Sequence, residues 1–455
     1  MRDSWSGSDL HLELDPARKR RAALESALRT AIQDGRLTAG TLLPSTRALA
    51  TELALSRGTV TAAYDQLAEE GFLTIRPGSG TRVADIPQTP APPPAVLTEP
   101  PAHDLRPGRP AAGTFPTRAW LAATRRVLHH AAHATPDPQG QLELRTALAA
   151  HLGRTRGVRT DPTRIVVTSG YHQAVTLLAH VLRQNGVRTT AYEDPGHNAY
   201  REAVQRGGLT TTPLPVDARG AQVESLTTEK AVFLTPSHQY PLGVPLHPHR
   251  RRAIRTWARS TGALIIEDDY DGEFRYDRQP IGALQALAPD HVVYAGSISK
   301  TLSPNLRLGW LALPHHLVSP FVQAKEEADT HTETLTQLVL ADLIASHAYD
   351  RHIRACRLRY SRRRRLLLDR LAAFSHLTVH GVPAGLSTLV TGMNEQQALA
   401  VCTTARIALR GLTELHQDPG TSPGGLLIGF AAPSDSAYPA ALTALSNALT
   451  TGRLN

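Results

Sequence analysis

Several residue types are scarce in this chain, and each shortage excludes a class of protein. The 455 residues include two cysteines, Cys356 and Cys402, too few for a disulfide framework or a cysteine-based zinc site. We expect both to be reduced core thiols, as in cytoplasmic proteins, and we expect no metal centre. No apolar run approaches the roughly 20 residues that cross a bilayer, and the N-terminus lacks the apolar core of a signal peptide. We therefore expect a cytoplasmic protein without a membrane partner.

Lysine is also scarce, since arginine supplies 45 of the 49 basic residues. The four lysines are Lys19, Lys230, Lys300 and Lys325. Because arginine has replaced lysine as the ordinary surface cation, a retained lysine indicates a role that requires a primary amine. Lys300 lies in "YAGSISKTLSPNLRLGW", next to serines and seven residues before Arg307.

The net charge of +9 favours nucleic acid or another polyanion as a partner. Residues 1–85 contain 11 basic and 11 acidic residues and are neutral overall. The surplus lies further along, partly in "RHIRACRLRYSRRRR" (Arg351–Arg365), whose spacing predicts a helix. We expect its basic faces to be solvated, with DNA or a partner's phosphate as the alternative contact.

A proline-rich stretch divides the chain. Nine of the 25 residues in 86–110 are proline, a composition typical of an extended, semi-rigid spacer. We predict a small domain over 1–85, a linker over 86–110 and a large domain over 111–455, and we find no internal repeat.

The small domain is predicted to contain three helices and a hairpin. Helical periodicity covers Arg20–Leu37, Leu43–Ser56 and Ser56–Gly71, and "FLTIRPGSGTRVA" then alternates around a glycine-rich tip. Three helices followed by a hairpin predict a winged helix-turn-helix, whose third helix enters the major groove of double-stranded DNA.

The candidate DNA contacts lie at the starts of the second and third helices and at the wing tip. They are Ser45, Thr46, Arg47, Ser56, Arg57, Gly58, Thr59, Gly78 and Gly80. Arg57 is the candidate for a bidentate contact with guanine, and Arg47 is expected to pair with phosphate. The motifs "LPSTRALA", "SRGTVTAAYDQLAEEGFL" and "RPGSGTRV" closely resemble the DNA-binding domain of the GntR family of bacterial regulators. A purely structural three-helix module would not require these arginines together with a glycine-rich wing.

The large domain alternates strands and helices, which predicts an α/β fold with a mainly parallel sheet and ligands at the strand ends. In "RIVVTSGYHQAVTLLAHVL" a strand, a turn and a helix create an anion site at the helix start. "ALIIEDDYDGEFRY" (Ala263–Tyr276) is a buried strand that ends in carboxylates and Tyr270. The strand in "HVVYAGSISK" delivers Lys300 from its C-terminal end.

These side chains are the ones that pyridoxal phosphate requires. An amine condenses with its aldehyde, a carboxylate keeps the pyridine nitrogen protonated, and a phenol bonds the ring hydroxyl. Serine, arginine and a helix N-terminus hold the phosphate. Lys300 is then retained because arginine cannot form an imine.

Five motifs in order, "TSGYHQA", "EDPGH", "TPSHQYPLG", "IIEDDYDGEFRY" and "SISKTLSPNLRLGW", resemble fold-type I aminotransferases. Both domains together resemble the MocR/PdxR-type subfamily of GntR regulators. The resemblance implies that Lys300 is the catalytic (Schiff-base) lysine, that Asp268 faces the pyridine nitrogen and that Tyr270 faces the ring oxygen. The implied cofactor-binding set is Gly170, Tyr171, His172, His197, His238, Gln239, Asp268, Tyr270, Ser297, Ser299, Lys300 and Arg307. It also implies a homodimer whose chains exchange their DNA-binding domains.

Two positions depart from the family pattern. Members often have "PGY", whose tyrosine stacks on the cofactor, where this chain has His197; an imidazole that titrates near neutral pH would make cofactor affinity pH-dependent. Alternatively, His197 only caps the following helix. Near the C-terminus, "LLIGFA" places Leu427 where many aminotransferases have an arginine that grips the substrate carboxylate. Arg406 or Arg410 could substitute, or both could be ordinary surface residues.

Three functions fit these features. The favoured one is a transcription regulator that uses pyridoxal phosphate as its effector or as a platform for an amine effector, with vitamin B6 or amino acid metabolism genes as candidate targets. The alternative is a working aminotransferase with an accessory DNA-binding domain; half-reactions are chemically feasible, although we do not expect physiological turnover. In a third, the large domain of a DNA-binding dimer is structural and empty, which the retention of Lys300, Asp268, Tyr270 and Arg307 argues against.

Overall fold

The computed structural model describes residues 12, 14–76, 78–86, 100–277 and 281–451. These residues form two compact units, and the division between them falls before Pro100. Residues 100–110, which the sequence analysis assigns to the linker, therefore belong to the second unit. The rest of that predicted linker, residues 87–99, lies outside the described residues. None of the helices in the described ranges combines the length and the apolar character needed to cross a membrane.

The first unit is a winged helix-turn-helix, as predicted. It contains α1 (Arg20–Gln33), α2 (Thr46–Glu52), α3 (Arg57–Glu69), β1 (Leu73–Arg76) and β2 (Gly80–Val83). The two strands pair antiparallel from Leu73 opposite Val83 to Arg76 opposite Gly80. Leu24 and Leu28 of α1 pack against Tyr64 and Leu67 of α3 in the buried core.

Side-chain caps set where α2 and α3 begin. The Ser45 hydroxyl accepts a hydrogen bond from the Ala48 amide, and the Ser56 hydroxyl accepts one from the Thr59 amide, both at 3.1 Å. α2 is shorter than its predicted segment because Ala54 adopts a φ of 50°, which breaks the helix before Ser56.

The second unit contains the remaining helices and strands. They are β3 (His103–Asp104), α4 (Thr117–His133), α5 (Leu142–Arg156), β4 (Ile165–Thr168), α6 (Tyr171–Gln184), β5 (Thr189–Asp194), α7 (Asn198–Arg206), β6 (Thr210–Asp217), β7 (Gly220–Ala221), β8 (Ala231–Leu234), α8 (Pro248–Thr261), β9 (Leu264–Asp268), β10 (Val292–Ser297), β11 (Gly309–Ala312), α9 (His315–Asp329), α10 (Thr334–Ala345), α11 (Ala348–Leu371), β12 (Thr378–Val379), β13 (Ser387–Thr391), α12 (Glu395–Thr404), β14 (Ile407–Ala408), β15 (Arg410–Gly411), β16 (Leu426–Gly429) and α13 (Tyr438–Thr451).

The main sheet has the strand order β4-β11-β10-β9-β8-β5-β6-β7. Five consecutive strands run parallel to one another: β10, β9, β8, β5 and β6. The pairs at the two ends are antiparallel, with β11 and β4 at one end and β7 at the other. The predicted mainly parallel α/β fold is thus confirmed. β8 and β4 are buried along their whole length, as expected for strands covered by helices on both faces.

A smaller antiparallel sheet follows, in the order β12-β13-β16-β15. Its β15 is only two residues long and places Arg410 directly opposite Leu427 of β16. This pairing brings a charged side chain beside the apolar position that the sequence analysis singled out.

The basic stretch Arg351–Arg365 is helical, as predicted, and lies within α11. Arg351, Arg354 and Arg362 are exposed on it. Arg363 differs from the expected solvated face because it is buried, donates to the Ala431 carbonyl at 2.6 Å and lies 5.0 Å from the centre of the Tyr438 ring.

Candidate functional site

A cavity in the second unit lies at the carboxyl ends of the parallel strands. Its lining residues follow consecutive strands of the sheet: Glu193 from β5, Thr235 after β8, Asp268 from β9, and Ser297 and Lys300 from β10 and its following turn. The small sheet adds Ser387 and Arg410. Because parallel strands share their carboxyl edge, residues more than 100 positions apart in sequence face one space.

Lys300 projects into this cavity, as predicted. Its Nζ donates a hydrogen bond to the Gly108 carbonyl at 2.7 Å. Burial lowers the pKa of Lys300, although the carboxylates of Asp271 and Asp268 act in the opposite direction. A lowered pKa increases the fraction of unprotonated amine, which is the nucleophilic form.

The three aspartates of "EDDYD" have different partners, and this identifies the one that faces the cavity. Asp269 is held by Arg156, whose Nε and Nη2 donate to its two oxygens at 2.6 and 2.9 Å. Asp271 lies 2.8 Å from His238 Nδ1. Asp268 lines the cavity, and burial, reinforced by the charge of Asp269, raises the pKa of Asp268 well above its usual range.

The candidate anion site is the start of α6. Gly170 is the N-cap residue of α6, with a φ of 90°. As a glycine it places no side chain at the start of the helix. A Cβ at Gly170 would lie 3.3 Å from the Arg307 guanidinium carbon. Arg307 itself has a φ of 49°, a costly conformation for a residue other than glycine. Ser297, Ser299 and Tyr171, the first residue of α6, line the cavity, whereas Gly170 and Arg307 are not among its lining residues. A helix N-terminus with a guanidinium beside it is an arrangement that favours an anion.

Tyr270 lines the cavity and has a fixed orientation. Its hydroxyl lies 3.0 Å from Nδ1 of His238, the nitrogen that also faces Asp271. His238 thus contacts Tyr270, but it is not among the residues that line the cavity. Gln239 was also predicted to bind the cofactor. Its side-chain amide instead donates hydrogen bonds to the carbonyls of Pro195 and Tyr240 at 2.9 and 2.7 Å. The residue of this motif that lines the cavity is Tyr240.

His172 lies at the start of α6, outside the cavity lining. Its Nε2 is 3.3 Å from Nη2 of Arg206, and burial together with the charge of Arg206 lowers the pKa of His172.

His197 lines the cavity and is the N-cap residue of α7, but its side chain makes no capping hydrogen bond. Capping therefore does not explain it. Its ring stacks on Tyr200 with 4.0 Å between the centres. Burial, with the charges of Lys300 and Arg410, lowers the pKa of His197 to about 3. The predicted pH dependence of cofactor affinity is not expected from this residue, because its imidazole stays neutral around pH 7.

Several cavity residues were not predicted from the sequence. Pro107 and Gly108 line it, although the proline-rich composition favoured a linker there. Tyr200 also lines it, as does Arg410, one of the two arginines that the sequence left open as a substitute for the missing carboxylate-binding arginine. Tyr200 follows His197 at helical spacing, a signal that could have been used, whereas Arg410 reaches the cavity only through the pairing of β15 with β16.

The predicted DNA contacts lie at the starts of α2 and α3 and around the turn between β1 and β2. Ser45, Thr46 and Arg47 start α2, and Ser56, Arg57, Gly58 and Thr59 start α3. Arg47 and Arg57 are exposed, and no side chain in the described part of the chain binds the Arg57 guanidinium. Gly78 and Gly80 have φ values of 80° and 85° in the turn between β1 and β2, a conformation that glycine adopts readily.

Comparison with known proteins finds a matching family for each unit. Residues 20–83 match the family of bacterial regulatory proteins, gntR family, and residues 108–445 match aminotransferase class I and II. The chain is 33% identical to the pyridoxine biosynthesis transcriptional regulator PdxR of Corynebacterium glutamicum, over 94% of this chain and 96% of that protein. The chain belongs to the PdxR/MocR-type subfamily of GntR transcriptional regulators.

Other relatives agree with this assignment. The PdxR/MocR-type chain is 32% identical to the probable rhizopine catabolism regulatory protein MocR of Rhizobium meliloti, over 76% of each. Its second unit has the fold of the Pyrococcus horikoshii kynurenine aminotransferase, with a TM-score of 0.70, 22% identity, and coverage of 78% of this chain and 92% of that one. The chain is thus a DNA-binding transcription regulator whose larger domain has the aminotransferase fold and takes pyridoxal phosphate as its cofactor.

The described residues of this PdxR/MocR-type chain fit that cofactor. Asp268 is a buried carboxyl to which no described cation is hydrogen-bonded, so a protonated pyridine nitrogen would supply the missing charge. Gly108 and Gly170 leave space beside Lys300 and Arg307 that a Cβ would fill. An amine and an acid are therefore present in one cavity, and the start of α6, with Arg307 beside Gly170, is the candidate anion site.

Proposed function

We propose that this regulator binds pyridoxal phosphate at Lys300 and responds to it, alone or with an amine effector, by changing how two chains present their recognition helices to an operator. The observation that carries the proposal is the convergence of Lys300, Asp268, Ser297 and Ser299 on one cavity in a chain with a GntR domain. Tyr171, the first residue of α6, also lines this cavity, and Arg307 lies beside Gly170 at the start of that helix. Such coupling requires that the cofactor bind the two arrangements with different affinity.

Four cavity residues have roles in this proposal. The cofactor supplies an aldehyde carbon and an electron-withdrawing ring. Lys300 provides the amine that holds it covalently, and Asp268 keeps a proton on the ring nitrogen. Tyr270 donates toward the ring oxygen and is oriented by His238, while His197 presents a neutral ring for stacking. The role of Tyr270 is supported by its contact with His238, and the role of His197 by its stack on Tyr200.

The phosphate end of the cofactor is assigned to the start of α6. The amides after Gly170 and the Arg307 guanidinium provide charge and directed donors, and Ser297 and Ser299 add hydroxyls. The dipole of α6 reinforces this site because its positive end points outward from Tyr171.

A homodimer with exchanged DNA-binding domains is part of the proposal. α4 carries Leu121 and Leu128, seven residues apart on one face, with side chains 51% and 52% exposed. Apolar side chains aligned on a long helix favour a protein interface, and we assign them to a second copy. Because its GntR domain is a DNA-binding domain, we also propose a cytoplasmic location for the protein.

The candidate targets follow from the relatives. PdxR of Corynebacterium glutamicum is named for pyridoxine biosynthesis, and this chain matches it over nearly its whole length. We therefore propose genes of vitamin B6 metabolism as the first targets to test, with amino acid metabolism as the second.

The direct test is DNA binding by the full-length chain to the duplex upstream of its own gene, titrated with pyridoxal phosphate. Pyridoxine phosphate is the matched control ligand, because it has the same ring and phosphate but no aldehyde. A change in affinity or mobility with the aldehyde alone supports direct sensing. Binding that is indifferent to both ligands contradicts it, and absence of DNA binding contradicts the regulatory role and favours the aminotransferase alternative.

Gly108→Ala is expected to weaken cofactor binding by about tenfold or more. Gly108 has a φ of 71°, and a Cβ there would lie 2.7 Å from Lys300 Nζ, so the new methyl group would displace the amine. Cofactor affinity is measured by titrating the cofactor-free protein and following visible absorbance. Gly113→Ala is the control, because nothing lies within 4 Å of its added Cβ and its φ is unstrained. Equal affinity of the two variants would remove Gly108 from the site.

A further inference from the structure

Arg410 is a cationic side chain in the cavity that the cofactor does not use. Among the described lining residues, Lys300 and Arg410 carry the positive charges, and Lys300 is assigned to the aldehyde. Arg410 lies on β15, directly opposite Leu427, the buried position where many aminotransferases have their carboxylate-binding arginine. A cation thus remains available to the cavity from the neighbouring strand.

The contacts of Arg410 orient it without using all its donors. Its Nε donates to Glu414 at 2.5 Å, and although burial acts in the opposite direction, its interaction with the nearby Tyr240 hydroxyl raises the pKa of Arg410. An arginine has five N–H donors, so others remain for a ligand. Glu414 is half-exposed, which limits how much of the arginine's charge it neutralises.

Tyr240 connects Arg410 with the cofactor side of the cavity. Its ring meets Tyr270 edge-on, with 6.1 Å between the centres, and lies 5.4 Å from His197. Tyr240 is therefore the aromatic side chain between Arg410 and the two residues assigned to the cofactor, Tyr270 and His197. A small molecule whose amine is at Lys300 would lie beside the Tyr240 ring.

The strand that carries Arg410 is held in place by Glu395. This carboxylate accepts hydrogen bonds from the amides of Leu412, Thr413 and Gly425 at 2.9–3.1 Å. A Cβ at Gly411 would collide with Glu395, so this carboxylate packs directly against the backbone beside Arg410. A fixed backbone limits the conformational entropy lost when the side chain binds a ligand.

Arg406, the other arginine that the sequence left open, lies elsewhere. It is exposed, it does not line the cavity, and its Nη2 donates to the Pro100 carbonyl at 3.1 Å. The structure therefore separates two arginines that the sequence could not distinguish.

We propose that Arg410 binds the carboxylate of an amino-acid effector whose amine is directed to Lys300. The inference rests on the proposed function, because it assumes a cofactor held at Lys300. A guanidinium can bind a carboxylate through two parallel N–H donors, which gives both affinity and orientation. The effector class is then a small amino acid and not a simple amine.

The test compares ligands that differ only in the carboxylate. L-Alanine and ethylamine form one pair, and 3-aminopropanoate and propylamine form the other. Each is titrated calorimetrically into the full-length chain loaded with pyridoxal phosphate. At least one pair is expected to show a preference of about tenfold or more for the carboxylate in the wild type, and Arg410→Gln is expected to reduce it below about threefold. Arg406→Gln is the matched control and should retain the preference.

The outcomes separate the two proposals. If the wild type does not load pyridoxal phosphate, as followed by visible absorbance, the proposed function and this inference both fail. If it loads but prefers no carboxylate in either pair, the inference alone is overturned, whatever the variants do. If Arg410→Gln loads normally and keeps the wild-type preference, or Arg406→Gln loses it, Arg410 is not the binding residue.

Discussion

Lys300→Ala is expected to abolish covalent capture of pyridoxal phosphate, the largest effect we anticipate from a single substitution. Capture requires a primary amine in the cavity, and the other lysines are placed elsewhere. Lys325 is fully buried and pairs with Asp329 at 2.8 Å, and Lys230 donates to the Thr261 carbonyl on the surface. After borohydride reduction, the wild type should gain the mass of one pyridoxyl phosphate group per chain and the variant none. The variant should also lack the visible absorbance of the captured cofactor.

Lys230→Ala is the matched control, because it removes the same charge and the same amine from an exposed position. It should capture cofactor like the wild type. A Lys300→Ala protein that still acquires the reduced adduct within the cavity would contradict the assignment, and peptide mapping would locate the amine responsible.

The Lys300→Ala chain is expected to fold, which makes the loss of capture interpretable. The Nζ of Lys300 makes one described hydrogen bond, to the Gly108 carbonyl, and such a bond contributes about 1 kcal/mol to stability. Melting should be compared without cofactor, because a ligand that binds only the folded chain raises the melting temperature of the wild type alone.

Much of the site could be predicted because its residues occur in local motifs. Lys300, Asp268 and Tyr270 each follow a buried strand, and parallel strands bring their carboxyl ends together whatever their order in the sheet. The winged helix-turn-helix was predictable for a similar reason, since caps, helical spacing and a glycine-rich turn are all local signals. The order of the eight strands had no such signal.

What could not be predicted depends on contacts between distant segments. Arg410 lines the cavity through a two-residue strand paired with β16, and Gly108 lines it because residues 100–110 pack with the second unit. Proline content indicates an extended chain, but it does not indicate whether that chain packs. The pKa of His197 is a further example, because its low value comes from burial and from Lys300 and Arg410, which are neighbours only in the folded chain.

Arg57→Ala is expected to weaken operator binding about 5- to 150-fold, the equivalent of the roughly 1–3 kcal/mol of discrimination that a bidentate arginine–guanine contact provides. Arg57 is the first residue of α3, exposed, and no described side chain competes for its guanidinium. The fold should survive, because the Ser56 cap and the apolar face of α3 are unaffected. Affinity is measured by fluorescence anisotropy on the operator and on a scrambled duplex at the same salt concentration.

Arg47→Ala provides the comparison that separates base recognition from charge. It removes one positive charge from the start of the neighbouring helix, also at an exposed position. If Arg47 binds phosphate, its loss should weaken both duplexes by a similar factor and reduce the salt dependence by about one released counterion. Arg57→Ala should instead lower the ratio of specific to scrambled binding. If the two variants lose affinity equally on both duplexes, Arg57 acts as a charge and base recognition must be assigned to other residues of α3 or the wing. Neither variant should alter cofactor capture, because Lys300 and the residues around it belong to the second unit.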